Sequence, residues 1–112
     1  MKELNSIVEL QDIVRRFVEE RKWQSAHNPK NLSMSIAIES AELMEIFQWI
    51  SIDDSKKIND QAVLEHIAEE LADVLIYCIS MANQFSFNVD DIVKKKVEKN
   101  AVKYPLCSKG EV

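Results

Sequence analysis

The segment IAIESAELMEIF, residues 36–47, has the apolar character of a buried helix and yet carries three acids. Apolar residues flank Glu39, Glu42 and Glu45 on nearly every side. Burying a carboxylate is costly unless a cation pairs with it. The segment therefore predicts a helix whose acids serve a cation, and it raises the question of what encloses the helix.

The composition of the chain favours a single all-α domain. A length of 112 residues suits one domain with one core. The only glycine is Gly110 and the two prolines are Pro29 and Pro105, which favours long uninterrupted helices between them. We expect residues 1–105 to form the domain and residues 106–112 to form a frayed C-terminal tail.

Apolar periodicity and capping residues predict four long helices. The loop between the first two covers residues 24–30, because Pro29 disfavours helix at Asn28. A short capping box at Ser51 and Asp54 predicts one or two further turns over residues 52–58. The first long helix is expected over residues 4–22, and the second runs from a cap at Asn31 or Ser33 to about Ile50. The third is expected over residues 61–86, with Asn59 or Asp60 as its cap. The fourth begins at its cap Asn88 and ends at Pro105.

Short loops between long helices predict an antiparallel four-helix bundle. The second and third predicted helices are apolar around most of their circumference, which is typical of helices enclosed on all sides. Four helices of so short a chain cannot easily enclose two of them. We therefore expect homo-oligomerisation to complete the core. The alternative is one oversized core in a monomer.

The charge of the chain excludes some classes of partner. A net charge of −5 argues against a general nucleic-acid-binding protein. No apolar run reaches the roughly 18 residues of a membrane span, and residues 1–20 do not resemble a signal peptide. Cys78 and Cys107 lack metal-type spacing, so we expect reduced thiols and a cytoplasmic location. If the partner is an anion such as a phosphate ester, a metal must mediate.

Two acidic pairs share one spacing on the second and third predicted helices. Glu39 and Glu42 are three residues apart and lie on one helix face, and Glu45 continues that line. Glu70 and Asp73 repeat the spacing on the neighbouring helix. Four carboxylates that converge across a helix pair form a hard oxygen site, for which Mg²⁺ is the expected ion.

Solvated acids are the alternative interpretation of these residues. For Glu65 and Glu69, which lie beside sequence poor in lysine, we favour that alternative. The apolar neighbours of Glu39 and Glu42 on both flanks argue against it there.

A polar stripe follows the fourth predicted helix, with Lys96, Asn100, Lys103 and Tyr104 on one face. Lysine and asparagine side chains in such a stripe are able to hold phosphate oxygens. On spacing alone, an ordinary solvated face is favoured, because the surrounding sequence KKKVEKN is rich in lysine.

Two tryptophans, Trp23 and Trp49, flank the second predicted helix. Large aromatic residues usually belong to a core. They also wall nucleobase pockets, where stacking is worth about 1–3 kcal/mol per base. His27 and Asn28, in the adjacent loop, offer polar contacts to a base edge, although a loop histidine alone is more often simply exposed.

Four stretches, ERKWQSAHNPKNL, ESAELMEIFQW, EELADVLIY and KNAVKYP, together resemble the MazG-like all-α nucleoside triphosphate pyrophosphohydrolases. The chain looks most similar to the small single-domain branch that includes the dCTP pyrophosphatases. The resemblance covers about residues 19–105. It implies cleavage of a nucleoside triphosphate between the α- and β-phosphates, with dCTP or a related deoxynucleotide favoured. It further implies Mg²⁺ as the cofactor, with Mn²⁺ as a substitute.

The resemblance also implies roles for individual residues. The positions that match the family's metal-binding acids are Glu39, Glu42, Glu70 and Asp73. Those that match its phosphate-contacting residues are Lys96, Asn100, Tyr104 and Tyr77. Those that match the base pocket of the dCTP branch are Trp23, His27 and Trp49. Family members form dimers or tetramers built from two dimers, and we favour the tetramer.

One departure from the family pattern concerns the second helix. Ile38 and Ala41 stand where the branch often has glycine, just before Glu39 and Glu42. Ile38 narrows the room beside Glu39. The shape of the pocket and the preferred base are therefore open.

For the reaction, Glu42 or Glu45 is the candidate general base, and the sequence does not choose between them. A di-iron carboxylate bundle would need Glu-x-x-His pairs, which neither His27 nor His66 supplies. The remaining alternatives are a non-catalytic helical interaction module of the same fold and the same chemistry on another nucleotide such as dUTP.

Overall fold

The computed structural model describes residues 6–106, which contain five helices and no strand. This confirms the predicted all-α class. Of the predicted tail, only Leu106 lies within the described residues, and it is almost fully exposed. The helices are α1 (Ile7–Glu20), α2 (Pro29–Glu45), α3 (Ile52–Ser55), α4 (Gln61–Gln84) and α5 (Val89–Lys103).

A side-chain oxygen caps the start of every helix. The predicted caps of α3, α4 and α5 are confirmed. The predicted cap of α2 at Asn31 or Ser33 was wrong, because the Asn28 side chain accepts from the Asn31 N–H and Pro29 occupies the first helical position. A proline costs little there, since its missing N–H would have no helical partner. The capping residues are Ser6, Asn28, Ser51, Asp60 and Asn88.

Helices α1 and α4 both end two residues before the predicted limits of 22 and 86. The N–H of Trp23 bonds to the Val18 carbonyl and Lys22 takes a left-handed φ of 58°. At the end of α4, Ser86 takes the same left-handed conformation, with φ 57°, and the Phe87 N–H bonds to the Ala82 carbonyl. This is the Schellman arrangement, which normally uses glycine at the left-handed position. Because neither of these turns contains glycine, the sequence concealed two helix ends.

Helix α2 ends at Glu45, five residues before the predicted limit at Ile50. The next residues form turns, in which the Phe47 N–H bonds to the Met44 carbonyl at 2.9 Å and the Ile50 N–H to the Phe47 carbonyl at 3.2 Å. Backbone hydrogen bonds between residues three apart form a tighter turn than the α-helix and extend the chain past its regular end. Ser51, with an extended backbone, then begins α3.

The most extensive packing joins α2 and α4, and α1 packs against both α4 and α5. His27 lies beside Tyr77, and Glu39 lies beside Asp73, so α2 and α4 run antiparallel. The best buried apolar side chains lie between these helices and α1. They are Val14, Val18, Leu32, Ile79 and Ala82.

The Gln11 side chain ties the α4–α5 turn to α1. Its Nε2 donates to Asn83 Oδ1 at 3.0 Å and to the Phe87 carbonyl at 2.9 Å, and its Oε1 accepts from the Val89 N–H at 3.0 Å. Asn83 Nδ2 donates in return to the Gln11 carbonyl. This buried glutamine therefore fixes where α5 begins relative to α1.

Much apolar surface on the helices remains uncovered. Ile38 is 58% exposed, Leu75 51% and Val97 60%. The radius of gyration is 17.4 Å, against about 13 Å for a compact domain of this length. One chain therefore does not enclose the apolar faces of α2 and α4. In the described part of the chain, none of the helices combines the length and apolar character needed to cross a bilayer.

Candidate metal centre

Helices α2 and α4 bring three carboxylates to one point. One carboxylate oxygen from each of Glu39, Glu70 and Asp73 lies within 4.8 Å of the other two. Glu39 comes from α2, while Glu70 and Asp73 lie one turn apart on the facing side of α4. All three side chains are half-buried. The three-residue spacing in a helix and the antiparallel packing together produce this cluster.

Glu42 lies one turn beyond Glu39 and is more exposed. Together with partial burial, its negative charge raises the pKa of both Glu39 and Glu70. The four acids singled out in the sequence therefore occupy one region between α2 and α4, with Glu42 at its exposed side.

The surroundings of the cluster disfavour its negative charges. Partial burial, followed by repulsion from Glu42, Asp73 and Glu70, raises the pKa of Glu39. Partial burial and then repulsion from Glu42 raise the pKa of Glu70. Within residues 6–106 the only ion pair of these acids joins Glu70 to His66, at 3.5 Å. The acids therefore face one another with little compensating positive charge.

One oxygen of Glu70 has no hydrogen-bond partner among the described residues. Its Oε1 is buried, and the Glu70 side chain as a whole is only 15% exposed. A buried polar atom without a partner is destabilising. A divalent cation between the carboxylates would satisfy this atom and offset the repulsion. Every atom of the cluster that is able to ligate a metal is a carboxylate oxygen, so the residues fit a hard cation.

His66 was not predicted as part of the site. It lies one turn before Glu70, and its Nε2 reaches Glu70 Oε2. The signal in the sequence was the four-residue spacing from His66 to Glu70, which puts the two side chains on one face of a helix.

Glu45 lies next to the cluster rather than inside it. It is exposed and lines an open groove of about 640 Å³ together with Glu42, His66 and Glu70. The groove gives solvent access to the cluster from the side of Glu42.

A row of aromatic rings starts one turn beyond Asp73 on α4. The Tyr77 ring centroid lies 5.9 Å from that of His27, which lies 5.7 Å from that of Trp23. Trp23 in turn meets Phe17 edge to face at 5.5 Å. Two of the predicted base-pocket residues, Trp23 and His27, are therefore together, and Tyr77 connects them to the acidic cluster.

Trp49, the third predicted base-pocket residue, lies elsewhere. It is 86% exposed and follows the C-terminal end of α2, whereas Trp23 precedes the N-terminal end. A helix of 17 residues is about 25 Å long. In a single chain the two tryptophans therefore do not wall the same slot.

The predicted phosphate-binding stripe lies on α5. Lys96 and Tyr104 are exposed and Asn100 is half-buried, while the Lys103 ammonium lies 5.3 Å from the Tyr104 ring centroid. The main packing of α5 is against α1. The acidic cluster, in contrast, lies between α2 and α4, so the stripe and the cluster belong to different helix pairs.

Comparison with known proteins places this arrangement in a family. A sequence model of the MazG-like family matches residues 34–112. The chain is 35% identical to dCTP pyrophosphatase 1 of Mus musculus over 104 residues, which cover 87% of this chain and 59% of that protein. It is 36% identical to dCTP pyrophosphatase 1 of Homo sapiens over 101 residues, with coverage of 86% and 59%. The chain thus spans about three fifths of the length of these relatives.

A solved structure shows the same fold. The crystal structure of a pyrophosphatase from Archaeoglobus fulgidus superposes with a TM-score of 0.77 and is 43% identical. The match covers 94% of this chain and 97% of that one. The family match and these relatives confirm the resemblance found in the sequence, and this chain belongs to the MazG-like family.

Proposed function

We propose that this chain is a metal-dependent nucleoside triphosphate pyrophosphohydrolase, which converts a (deoxy)nucleoside triphosphate and water to the monophosphate and pyrophosphate. The observation that carries the proposal is the convergence of Glu39, Glu70 and Asp73 around an oxygen of Glu70 that lacks a partner among the described residues. Membership of the MazG-like family and the activities named for its relatives support it.

Glu39, Glu42, Glu70 and Asp73 are the proposed cation ligands. Mg²⁺ is the proposed ion and Mn²⁺ its substitute, because both prefer carboxylate oxygens. When bound, such an ion supplies the positive charge that offsets the phosphate oxygens during phosphoryl chemistry. It would also let an acidic surface bind an anionic substrate.

The attack of water on the α-phosphorus requires a proton acceptor. Glu42 and Glu45 are the candidates, because both are exposed and both line the groove beside the cluster. As the water oxygen bonds to the α-phosphorus, the bond to the bridging oxygen breaks and pyrophosphate leaves. The carboxylate retains the proton until solvent removes it.

The remaining substrate contacts are proposed from the family resemblance. Lys96, Asn100, Tyr104 and Tyr77 would hold the phosphates, and Trp23 and His27 would border the base. Trp49 lies at the other end of α2 from Trp23, so it can join the same base pocket only from a second copy.

The proposed assembly is a homo-oligomer, with a tetramer of two dimers favoured over a dimer. The uncovered apolar faces of α2 and α4 support it, because exposed apolar patches of this kind mark interfaces. No role for nucleic acid or membrane is proposed, and the proposed location is the cytoplasm.

The favoured substrates are dCTP and related deoxynucleotides, as suggested by the relatives, and the proposed role is cleaning of the nucleotide pool. The test is a screen of all common ribo- and deoxynucleoside triphosphates with Mg²⁺, with Mn²⁺ and with EDTA. Nucleotide products and pyrophosphate are measured separately. We expect equal amounts of monophosphate and pyrophosphate, and neither with EDTA.

Two results of that screen would contradict the proposal. Release of diphosphate and orthophosphate would mean cleavage at a different bond. No product from any nucleotide, without thermal stabilisation by Mg²⁺ plus nucleotide, would favour the alternative of a non-catalytic interaction module.

A further inference from the structure

The open groove beside the acidic cluster lies at the opposite end of the cluster from the row of aromatic rings. On α4, His66 of the groove comes one turn before Glu70, and Tyr77 of the aromatic row comes one turn after Asp73. On the antiparallel α2, the groove borders the C-terminal end, at Glu45, while the aromatic row precedes the N-terminal end. The cluster therefore lies between the aromatic row and the groove.

The groove offers an anion one side chain with an N–H group. Its volume is about 640 Å³, and of the six described residues that line it, three are acids, two are apolar and one is a histidine. Carboxylates repel phosphate, and apolar side chains form no hydrogen bond with it. Among these six, the imidazole of His66 is therefore the side chain that is able to donate to a phosphate oxygen. The lining residues are Glu42, Glu45, Ile46, Val63, His66 and Glu70.

The His66 ring is accessible from the groove. Its side chain is 58% exposed, against 15% for the side chain of Glu70. Its Nε2 lies 3.5 Å from Oε2 of Glu70, which is longer than an ordinary hydrogen bond. Glu70 is also a proposed cation ligand, and a carboxylate whose charge is offset by an ion attracts the imidazole less. The N–H of His66 is then available to another anion in the groove.

The proposed positions of the base and of the ion define which part of a triphosphate reaches the groove. In the proposed function, Trp23 and His27 border the base, and the ion at the acidic cluster binds the phosphates beside it. The β- and γ-phosphates extend from the α-phosphate away from the base, and the groove is the side of the cluster away from the aromatic row. Within the described chain, the polar stripe on α5 does not line this groove. The pyrophosphate part of the substrate is therefore expected beside His66.

We propose that the His66 side chain binds the leaving pyrophosphate, as a hydrogen-bond donor to the β- or γ-phosphate in the groove. The inference rests on the proposed function and adds a residue that the phosphate contacts proposed there do not include. A hydrogen bond from an N–H group to a phosphate oxygen is strengthened by the charge of the phosphate. A neutral imidazole is sufficient, because one of its two nitrogens carries a proton in either tautomer. Since pyrophosphate is the product that leaves, His66 governs how tightly this product is retained.

The test measures the binding of pyrophosphate by calorimetry, with wild type and two variants. His66→Phe keeps a ring without an N–H group, and His66→Gln keeps an N–H donor. Mg²⁺ is held at a concentration that saturates each protein, so that a change in ion affinity does not enter. We expect His66→Phe to raise Kd for pyrophosphate by about 3- to 10-fold, a modest effect because the side chain is exposed, and His66→Gln to raise it less. The control is Gln61→Ala, which removes an exposed N–H donor of α4 outside the groove and should bind as wild type does.

A second ligand tests which phosphate is involved. Deoxycytidine 5′-monophosphate has only the α-phosphate, so His66→Phe should bind it as wild type does. Weaker binding of the monophosphate by the same factor as pyrophosphate would overturn the inference, because the contact would not be confined to the distal phosphates. Equal losses of pyrophosphate affinity in His66→Phe and His66→Gln would also overturn it, because the N–H group would then make no difference.

Failure of this inference and failure of the proposed function give different results. If wild type releases no pyrophosphate from any triphosphate but binds pyrophosphate more tightly than His66→Phe does, the contact stands and the activity fails. If wild type hydrolyses triphosphates and His66→Phe binds pyrophosphate as wild type does, the activity stands and the inference is overturned. Absence of pyrophosphate binding to wild type would overturn it as well.

Discussion

The Nε2 of His66 lies 3.5 Å from Oε2 of Glu70, while the other oxygen of Glu70 has no partner in the described part of the chain. The two oxygens of one carboxylate thus have different neighbours. Partial burial and repulsion from Glu42 raise the pKa of Glu70, and the neighbouring His66 imidazole lowers it by a smaller amount. A cation at the cluster and the His66 ring therefore compete for the same carboxylate.

His66→Gln should strengthen Mg²⁺ binding, because removing the imidazole removes a competitor for the Glu70 carboxylate. The His66 side chain is 58% exposed, so we expect a gain of only about 2- to 3-fold. Calorimetric titration of both proteins with Mg²⁺ checks this, and weaker binding by His66→Gln would show that His66 supports the ion instead.

Asp73→Asn should abolish Mg²⁺-dependent pyrophosphate release while the helices remain folded. Loss of a charged ligand should reduce activity by at least about 100-fold. The matched control is Asp53→Asn, an exposed acid on α3. Circular dichroism verifies folding, and pyrophosphate release is the readout. A fully active Asp73→Asn protein would remove this residue from the metal site.

Glu70→Gln should stabilise the metal-free protein at neutral pH. Because the folded-state pKa of Glu70 is raised, the folded state binds a proton more tightly than the unfolded state. The stability of metal-free wild type should therefore rise as the pH falls from neutral toward the ordinary carboxyl range. Stabilisation by Mg²⁺ should show the opposite trend, because the ion competes with protons.

Thermal unfolding between about pH 5 and 8, with and without Mg²⁺, measures both effects. Glu70→Gln should show a smaller dependence on pH and less stabilisation by Mg²⁺. Glu69→Gln, an exposed neighbour on α4, is the control and should behave as wild type. Identical pH profiles for Glu70→Gln and wild type would contradict the assignment of the shift to Glu70.

Ser86→Gly should stabilise the protein by about 0.5–1 kcal/mol, because Ser86 holds a left-handed backbone that glycine adopts without a steric cost. Ser40→Gly is the opposite control. It lies inside α2 with an exposed side chain, where glycine costs about 1 kcal/mol. Chemical denaturation of both variants gives the comparison, and a destabilised Ser86→Gly protein would be the contrary outcome.

Leu75→Lys should reduce the size of the assembly, because it places a charge on an uncovered apolar face of α4. Light scattering coupled to size-exclusion chromatography measures the mass of the particles. Lys57→Glu, which changes the charge of an exposed polar residue, is the control. A wild-type protein that elutes as a monomer would contradict the proposed oligomer directly.

The helices and the acidic pairs were predictable because they depend on local spacing. Helical periodicity fixes which residues share a face, so Glu39 and the pair Glu70 and Asp73 were expected to meet once α2 and α4 were taken as antiparallel. Helix ends were less predictable. The Schellman turns at Lys22 and Ser86 use no glycine, and the cap of α2 lies before its proline.

Features that depend on distant contacts could not be read from the sequence. The partners of Gln11 lie 72 to 78 residues away, and nothing local distinguishes it from other polar residues of α1. A small cavity beside Ser80 is likewise lined by residues of α1, of the loop with His27 and of α4, which lie far apart in the sequence. The separation of Trp49 from Trp23 follows from the length of α2, which their shared position beside that helix did not reveal.

The Gln11 contacts have a consequence for how the chain folds. Hydrogen bonds across more than 70 residues close a loop that includes α2, α3 and α4, so they raise the contact order of an otherwise local helical fold. Docking of α5 then depends on α1 and should belong to a late step of folding. In the Gln11→Ala variant, amide hydrogen exchange in α5 should become faster than in α4. Helix α5 should then unfold as a cooperative unit separate from the other helices.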